Sequence, residues 1–200
     1  NIKHFDFMCE KELTNFIKNS LKEDIKSGDL TSLATISKDA KKKATLISKS
    51  TGIIAGIELA EKIFKFIDSN IKFHKYFNDG DKVKYGDIIF NIYGNAISIL
   101  SAERLVLNCM QKMSAISSKT SLLKSILQTT KTTILDTRKT APLNRIIEKW
   151  AVRIGGGENH RLGLFDMIMI KDNHIDFNKD LKTTINKAIQ FKKQNNLNVK

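Results

Sequence analysis

The sequence predicts an α/β fold, and three features carry this prediction. Helical patterns of apolar residues recur from one end of the chain to the other. Between them lie short strand-like runs that end in turn residues. In the last third, apolar runs without polar alternation are separated by amphipathic helices, which is typical of parallel strands covered by helices. We therefore expect a sheet that packs against helices.

Five helical stretches are predicted from apolar residues at intervals of three and four. The longest covers residues 97–127, and we expect it to divide into two helices near residues 114–118. In its first half, Ala102 and Val106 belong to an apolar stripe, while Arg104 lies on the opposite, polar side. The other helices are expected at residues 10–23, 57–67, 143–152 and 181–193.

Strands and turns alternate between these helices. Residues 43–48 predict a strand, and residues 71–93 predict short strands broken by turns at residues 78–81 and 85–87. The aspartates of these turns also suggest calcium binding. A twelve-residue calcium loop closes on a glutamate, however, and that glutamate is missing here. Hairpins are therefore the favoured interpretation.

Composition limits the class of protein. With 41% hydrophobic residues in 200, the chain can bury a core as one domain or two small ones. No apolar run approaches the ~20 residues of a membrane span, and no signal peptide opens the chain, so we expect a cytoplasmic protein with no membrane partner. Cys9 and Cys109 have neither metal-ligand spacing nor a disulfide framework and are interpreted as reduced thiols.

The net charge of +13 raises the alternative of nucleic-acid binding. The excess is mostly lysine, and abundant isoleucine, asparagine and lysine indicate a compositional drift that adds charge everywhere. No basic patch interleaved with aromatic residues is recognisable in the sequence. We therefore expect no nucleic-acid partner.

The arginines are distributed differently from the lysines. All five lie between positions 104 and 161, whereas 29 lysines are scattered along the chain. An arginine guanidinium binds a carboxylate or phosphate through two parallel hydrogen bonds, which a lysine ammonium cannot do. Clustered arginine in a lysine-rich protein therefore predicts a polyanionic ligand.

Three apolar runs, at residues 133–135, 167–170 and 198–199, predict parallel strands. Right-handed crossovers would place the charged tails of the first two at one edge of the sheet, where α/β folds bind ligands. A complete eight-unit barrel needs ~250 residues, so we expect this chain to stop part-way through such a fold. The cations expected to meet at the edge are Arg138, Lys139 and Lys171.

An ordered set of motifs adds to this interpretation. The second half contains Leu135–Thr140, Glu148–Val152, Gly155–Arg161, Gly163–Asp166 and Ile170–His174. The first half contains Glu23–Asp24, Gly28–Ser32, Ala55–Gly56, Asp79–Asp81, Gly86–Asp87 and Ala102–Asn108. Each motif alone is weak. In this order they resemble the quinolinate phosphoribosyltransferase family, also called carboxylating nicotinate-nucleotide pyrophosphorylases, over nearly the whole chain.

The resemblance implies an amino-terminal α/β sandwich domain at residues 1–114 and the first part of an open α/β (TIM-like) barrel at residues 115–200, with the rest of the barrel absent. It also implies a homodimer with shared active sites. The expected reaction converts quinolinate and phosphoribosyl pyrophosphate, with Mg²⁺, to nicotinate mononucleotide, pyrophosphate and carbon dioxide in NAD synthesis. Two alternatives stay open: a molybdenum-transport-linked relative of the same fold, and an inactive or truncated ligand-binding fragment.

The resemblance also assigns residues to roles. It implies that the carboxylates that hold the metal and the ribose lie beyond Lys200. Ala141 and Leu143 depart from the family, which has threonine and glycine around Pro142. Lys139 and Lys171 are expected to face the phosphoribosyl donor as catalytic residues. Quinolinate is expected to contact Arg138, His160, Arg161 and Lys171, with Arg104 entering from the other subunit.

Two local expectations concern the same window. The glycines at residues 155–157 are expected to let the backbone turn tightly and approach a ligand, and a plain loop between a strand and a helix is the alternative. Of the four histidines, His160 is the preferred site residue because it lies in this glycine-bounded loop. His174 is expected to cap or to orient Lys171 instead.

Overall fold

The computed structural model describes residues 10–199, so His4 and Cys9 lie outside the described residues. The chain divides into two compact units, which are described separately. The first contains the described residues up to Asp136 together with Thr140–Asn159. The second contains Thr137–Lys139 together with the described residues from His160 onward.

The first unit contains five helices and five strands among its described residues, which confirms the mixed α/β class. The helices are α1 (Glu10–Ile25), α2 (Leu30–Thr35), α3 (Ile57–Ile67), α4 (Ala96–Ile126) and α5 (Arg145–Ile154). The strands are β1 (Lys41–Ile47), β2 (Gly52–Ile53), β3 (Lys72–Lys75), β4 (Lys82–Val83) and β5 (Ile88–Asn95). The helices predicted at residues 10–23, 57–67 and 143–152 are therefore confirmed, with shifts of no more than two residues at either end.

The strands form two small antiparallel sheets, in the order β1-β5-β3 and as the pair β2-β4. The predicted turns are present: Asp81 accepts a hydrogen bond from the backbone N–H of Asn78 at 2.7 Å, and Asp87 does so from Lys84 at 2.7 Å. The predicted hairpins at these turns are wrong, because β4, which lies between the turns, pairs with β2, while β3 and β5 pair with each other. Asp79 accepts from the first backbone N–H of α3, on Ile57, at 2.8 Å. The aspartates thus shape turns and cap a helix, and burial raises the pKa of the Asp79 carboxyl.

One hydrophobic core lies between the three-stranded sheet and the helices of this unit. Helices α1, α3, α4 and α5 each contribute a buried apolar stripe. The apolar stripe predicted on α4 is confirmed, since Ala102, Val106, Cys109 and Met113 are all buried. Trp150, the only tryptophan of the chain, is 1% exposed on α5.

The prediction that residues 97–127 form two helices is wrong, because α4 runs unbroken for 31 residues. The serines that suggested a break use their hydroxyls to hold other segments. The Ser114 hydroxyl accepts from the backbone N–H of Ala55 at 3.0 Å, and the Ser118 hydroxyl accepts from that of Ile53 at 2.8 Å. The Ser117 hydroxyl donates to the Ala151 carbonyl of α5 at 2.7 Å. Serine is tolerated within this helix because its hydroxyls have partners across the core.

Helices α4 and α5 approach each other closely where α5 ends. A Cβ atom placed on Gly155 would lie 2.5 Å from the Ser117 carbonyl oxygen and 2.7 Å from the Thr120 Cβ. Glycine is therefore needed there for close approach of two backbones rather than for an unusual φ. Gly156, next along the chain, has φ of +87°, which lets the chain turn away from the helix.

The second unit contains α6 (Asp172–Asp176) and α7 (Leu181–Gln194), so the helix predicted at residues 181–193 is confirmed. Asp180 caps α7 by accepting from the backbone N–H of Thr183 at 2.7 Å. This hydrogen bond lowers the pKa of the Asp180 carboxyl.

The strands predicted at residues 167–170 and 198–199 are wrong, because neither segment belongs to a strand. Strand geometry needs a neighbouring backbone to pair with, and the described residues provide none for these two runs. The run at residues 133–135 is confirmed only in part: Leu135 makes an isolated parallel bridge with Glu158. Over residues 10–199, every helix is too short or too polar to cross a bilayer.

The α4–α5 contact predicts the effect of Ser117→Ala. Removing the buried hydroxyl should lower the free energy of unfolding by about 1–2 kcal/mol, because the hydrogen bond to Ala151 is lost inside the core. Ser125→Ala is the matched control, since the Ser125 hydroxyl donates to Leu122 at 2.7 Å on an exposed part of the same helix. Its cost should stay within about 0.5 kcal/mol. Equal effects in urea titrations would contradict this description of the helix contact.

Burial raises the pKa of the Cys109 thiol from 9.0 to about 12. At pH 8 the thiolate of Cys109 should therefore be about a thousandfold scarcer in the folded protein than in the unfolded chain, and its alkylation slower by a similar factor. The measurement is iodoacetamide labelling of a Cys9→Ser variant, with and without urea. Rapid labelling of the folded protein would show that Cys109 is not buried.

Candidate active site

Two chain segments run side by side just before the predicted cations. The backbone N–H of Glu158 donates to the Ile134 carbonyl at 2.8 Å, and the backbone N–H of Asp136 donates to the Glu158 carbonyl at 3.1 Å. Because this pairing is parallel, both segments continue in the same direction. One continues into Arg138 and Lys139, and the other into His160 and Arg161.

A buried polar network joins these same segments. The Lys149 ammonium on α5 forms an ion pair with the Asp136 carboxylate, and the two side chains are 1% and 5% exposed. The Asn159 amide NH₂ donates to the other carboxylate oxygen of Asp136 and, at 2.9 Å, to the Lys149 carbonyl. We call Asp136, Lys149 and Asn159 the clasp. All three residues belong to the first unit. Asp136 and Asn159 are each the last residue before the chain enters the second unit.

Sequence reasoning missed the clasp as a functional element. All three residues lie in the quoted motifs, but none was given a role. One signal was present: Lys149 stands beside Trp150 and two residues after Ile147, among the apolar residues of a short helix. A lysine among apolar residues either extends its ammonium group to solvent or is buried beside a group of opposite charge. The sequence alone does not distinguish these two arrangements.

Five of the six predicted site residues lie in the second compact unit. Arg161 is buried at 8% exposure, Arg138 and His160 are half-buried, and Lys139 and Lys171 are exposed. Residues from three separate parts of the sequence thus belong to one small unit. The unit is also strongly basic, with ten lysines and arginines against four aspartates.

Arg138 has an unsatisfied donor. Its Nε atom is buried, and within the described part of the chain it has no hydrogen-bond partner. Buried polar atoms of native proteins are nearly always paired with protein, water or ligand. A guanidinium of this kind is suited to a carboxylate or phosphate acceptor.

Arg161 lines an open cavity of about 430 Å³ within the second unit. The other polar lining groups include His174, Asn178, Thr184 and Lys187, and the remaining lining residues are apolar. Of the six predicted site residues, only Arg161 lines this cavity. The cavity is therefore not the predicted anion site as a whole, although it reaches one of its members. The apolar lining residues are Leu164, Met167, Ile168, Met169, Ile170, Ala188 and Phe191.

The expectation for His174 is confirmed by its geometry. Its Nδ1 atom accepts a hydrogen bond from the backbone N–H of Lys171 at 2.9 Å, at the start of α6. The Asn178 amide donates to the His174 carbonyl at 2.7 Å. His174 thus caps the start of α6 through the backbone N–H of Lys171. The ammonium group of Lys171 takes no part in this cap.

The glycine-rich loop turns tightly, as predicted, with φ of +87° at Gly156. Gly155 lies against α4, and a Cβ on Gly157 would lie 2.8 Å from the Val152 side chain and 3.0 Å from that of Thr120. Close packing against protein therefore accounts for glycine at both positions, and close approach to a ligand stays a prediction. The loop lets α5 pack on α4 while the chain returns to pair beside Leu135.

Arg104 is the one predicted site residue that does not belong to the second unit. It is an exposed residue of α4 in the first unit, on the polar side that the sequence predicted. Its assignment to the other subunit's site stays a prediction.

The described residues do not fit a magnesium site. Within residues 10–199, no group of three or more histidine, cysteine or acidic side chains is placed to hold a metal ion. Two aspartates that lie near the cations in sequence already have partners: Asp136 belongs to the clasp, and Asp166 accepts from the backbone N–H groups of Leu162 at 2.7 Å and Gly163 at 2.9 Å.

Comparison with known proteins places this chain in an enzyme family. The family model described as the N-terminal domain of quinolinate phosphoribosyl transferase matches residues 29–114, and that of the C-terminal domain matches residues 116–200. Both domains of one enzyme class are therefore matched in order. The chain belongs to the quinolinate phosphoribosyltransferase family.

Individual relatives agree with this membership. A quinolinate phosphoribosyltransferase [decarboxylating] 1b of Nicotiana tabacum is 46% identical over 187 residues, which are 93% of this chain and 53% of the relative. A probable nicotinate-nucleotide pyrophosphorylase [carboxylating] of Bacillus subtilis is 42% identical over 168 residues, 84% of this chain and 58% of the relative. The chain spans about half the length of the curated relatives it matches.

Solved structures give the same result. NadC from Streptococcus pyogenes superposes with a TM-score of 0.85 at 35% identity, covering 92% of this chain and 65% of that one. A nicotinate-nucleotide pyrophosphorylase from Francisella tularensis superposes with a TM-score of 0.82 at 38% identity, covering 90% and 64%. The predicted family and fold class are confirmed. The division at residues 114 and 115 remains a prediction.

Proposed function

We propose that this protein takes part in transferring a phosphoribosyl group to quinolinate, with loss of carbon dioxide, to give nicotinate mononucleotide and pyrophosphate for NAD synthesis. The observation that carries the proposal is the gathering of Arg138, Lys139, His160, Arg161 and Lys171 in one compact unit of a chain that belongs to this family. The relatives named above carry quinolinate or nicotinate nucleotide in their names.

The charges of the reactants explain why such a unit is suitable. Quinolinate has two carboxylates, and phosphoribosyl pyrophosphate has a phosphate and a pyrophosphate. Bringing these anions together in one site is unfavourable unless fixed cations offset their repulsion. A basic unit that carries two arginines close in sequence to lysine and histidine supplies such cations.

The proposed roles follow from the type of each cation. The guanidinium groups of Arg138 and Arg161 suit the planar carboxylates of quinolinate, because each can donate two parallel hydrogen bonds. The buried Nε of Arg138 supports this role, since a carboxylate would give it an acceptor. The ammonium groups of Lys139 and Lys171 are exposed point charges suited to the donor's phosphates. His160 and Lys171 complete the quinolinate contacts, with Arg104 contributed by the other subunit.

Catalysis would then depend on position and charge. The quinolinate nitrogen attacks the anomeric carbon as pyrophosphate departs, and lysine ammonium groups stabilise the departing charge. The pyridine nitrogen carries a positive charge after this step, so it stabilises the electron pair left on the neighbouring ring carbon when carbon dioxide is lost. That carbon then takes up a proton from water, which completes nicotinate mononucleotide. Holding the two reactants in line contributes most of the acceleration.

Three further features belong to this proposal. Mg²⁺ would neutralise the pyrophosphate of the donor, with ligands other than the described side chains. The enzyme would act as a homodimer with shared sites, and it would be cytoplasmic. Several relatives are named as chloroplastic or mitochondrial proteins of plants, so location differs within the family.

Arg138→Ala should weaken quinolinate binding by about 2–4 kcal/mol, because a bidentate charged contact is lost. Arg138→Lys should recover part of the loss, since it restores the charge without the fork. Lys182→Ala is the control: it removes an exposed cation of the same unit, and its effect should stay within about twofold. Calorimetric titration with quinolinate measures all three. Unchanged affinity in Arg138→Ala would contradict the proposed role.

The shared site predicts complementation between two inactive variants. Arg104→Ala and Arg138→Ala should each abolish nicotinate mononucleotide formation, because each removes a quinolinate contact from every site. Mixed dimers of the two should regain part of the wild-type activity, since one of their two sites keeps both arginines. The measurement is product formation after co-expression, with each variant alone as the control. Mixed dimers without activity would exclude a contribution of Arg104 across the interface.

A further inference from the structure

The clasp is the strongest feature that the proposed reaction leaves unexplained. Lys149 and Asp136 are charged and almost fully buried, with side-chain exposures of 1% and 5%. Removing two charges from water is costly, and buried ion pairs can often be replaced by apolar residues of similar size without loss of stability. Stability alone is therefore a poor explanation for this pair. A role in fixing geometry accounts for it better.

The position of the clasp indicates which geometry it fixes. Asp136 lies two residues before Arg138, and Asn159 immediately precedes His160 and Arg161. The Asn159 amide donates to both Asp136 and the Lys149 carbonyl, so its orientation is determined by two acceptors. Both segments are thus tied to the same turn of α5 at the point where each enters the second unit.

Helix α5 gives the clasp a rigid base. It is held to α4 by the buried hydrogen bond from Ser117 to Ala151 and by the close approach of Gly155. Side chains that hold functional residues from rigid elements keep them within a few tenths of an ångström of a useful geometry. A misplacement of about 1 Å can cost a factor of about a hundred in rate.

We infer that Asp136, Lys149 and Asn159 are positioning residues: together they set the relative placement of the Arg138–Lys139 and His160–Arg161 segments for binding a dicarboxylate. The assignment to quinolinate rests on the proposed function. The positioning itself does not, because it is a property of the unliganded protein. The three side chains touch the backbone and one another, and no contact with substrate is assigned to them.

The test neutralises the clasp without changing its size. The double variant Asp136→Asn with Lys149→Met removes both charges and keeps similar volumes. Its control is Lys62→Met with Glu10→Gln, which neutralises the 2.9 Å ion pair between α3 and α1 whose side chains are 32% and 68% exposed. Trp150 fluorescence and cooperative urea unfolding show that each variant is folded.

The clasp variant should show faster amide hydrogen exchange, by about tenfold or more, in peptides covering residues 137–140 and 160–163 together, with the α1–α4 core unchanged. Its dissociation constant for quinolinate should rise by about tenfold or more. The control variant should match wild type in both measurements. Unchanged exchange in either segment, in a cooperatively folded clasp variant, would overturn the inference.

Two further outcomes are also decisive. If the doubly neutral variant does not fold, Asn159→Ala takes its place, because it removes the amide link and leaves the ion pair intact. Wild-type exchange and wild-type quinolinate affinity in Asn159→Ala would overturn the inference. If wild-type protein itself does not bind quinolinate, the proposed function fails, and the exchange measurements still decide whether the clasp positions the two segments.

Discussion

Close packing of α5 on α4 is the interaction on which the placement of the cationic segments depends. Helix α4 presents a buried hydroxyl at Ser117, and α5 accepts it at Ala151 before ending on a glycine that lies against α4. A side chain at Gly155 would separate the two helices. Because α5 is fixed in this way, Lys149 reaches the interior rather than solvent. The polar network that it forms holds both chain segments that continue into the cations.

The charge of the second unit is the other constraint on the site. The unit carries ten lysines and arginines against four aspartates, and such a positive surplus opposes a compact state. Such an arrangement is stabilised by a multiply charged anion. A pyridine dicarboxylate supplies two negative charges in a rigid planar frame, which suits guanidinium groups better than a diffuse polyanion does. The basicity of the whole chain is a poor guide to this ligand, because net charge does not show which cations belong to the same unit.

Much of the fold could be predicted because it depends on local patterns. Apolar spacing located α3 to the residue and α1 to within two residues, and turn aspartates located the turns on either side of β4, although not the pairing of the strands around them. The failures required tertiary information. Serines at residues 114–118 look like a break until their hydroxyls find partners at Ile53, Ala55 and Ala151. The apolar run at residues 167–170 looks like a strand, but strand geometry depends on a pairing partner that the run itself does not encode.

The candidate site, like the fold, could be predicted from the sequence only in part. The residue types and the ordered motifs pointed to the cations, because guanidinium chemistry is visible in sequence. The strands at residues 167–170 and 198–199, which were expected to help bring the cations together, are not present. The clasp was not visible, since the burial of Lys149 depends on how α5 packs rather than on its neighbours in the chain. Its proposed role could be recognised only once Lys149 and Asn159 were seen to contact the two oxygens of the same Asp136 carboxylate.

The most direct test of the central claim is a crystal structure of the protein soaked or grown with quinolinate. We expect the two carboxylates to lie within hydrogen-bond distance of the Arg138 and Arg161 guanidinium groups, with Lys171 and His160 at the edge of the pyridine ring and the clasp unchanged. Quinolinate bound elsewhere, or both guanidinium groups turned toward solvent beside bound ligand, would contradict this expectation.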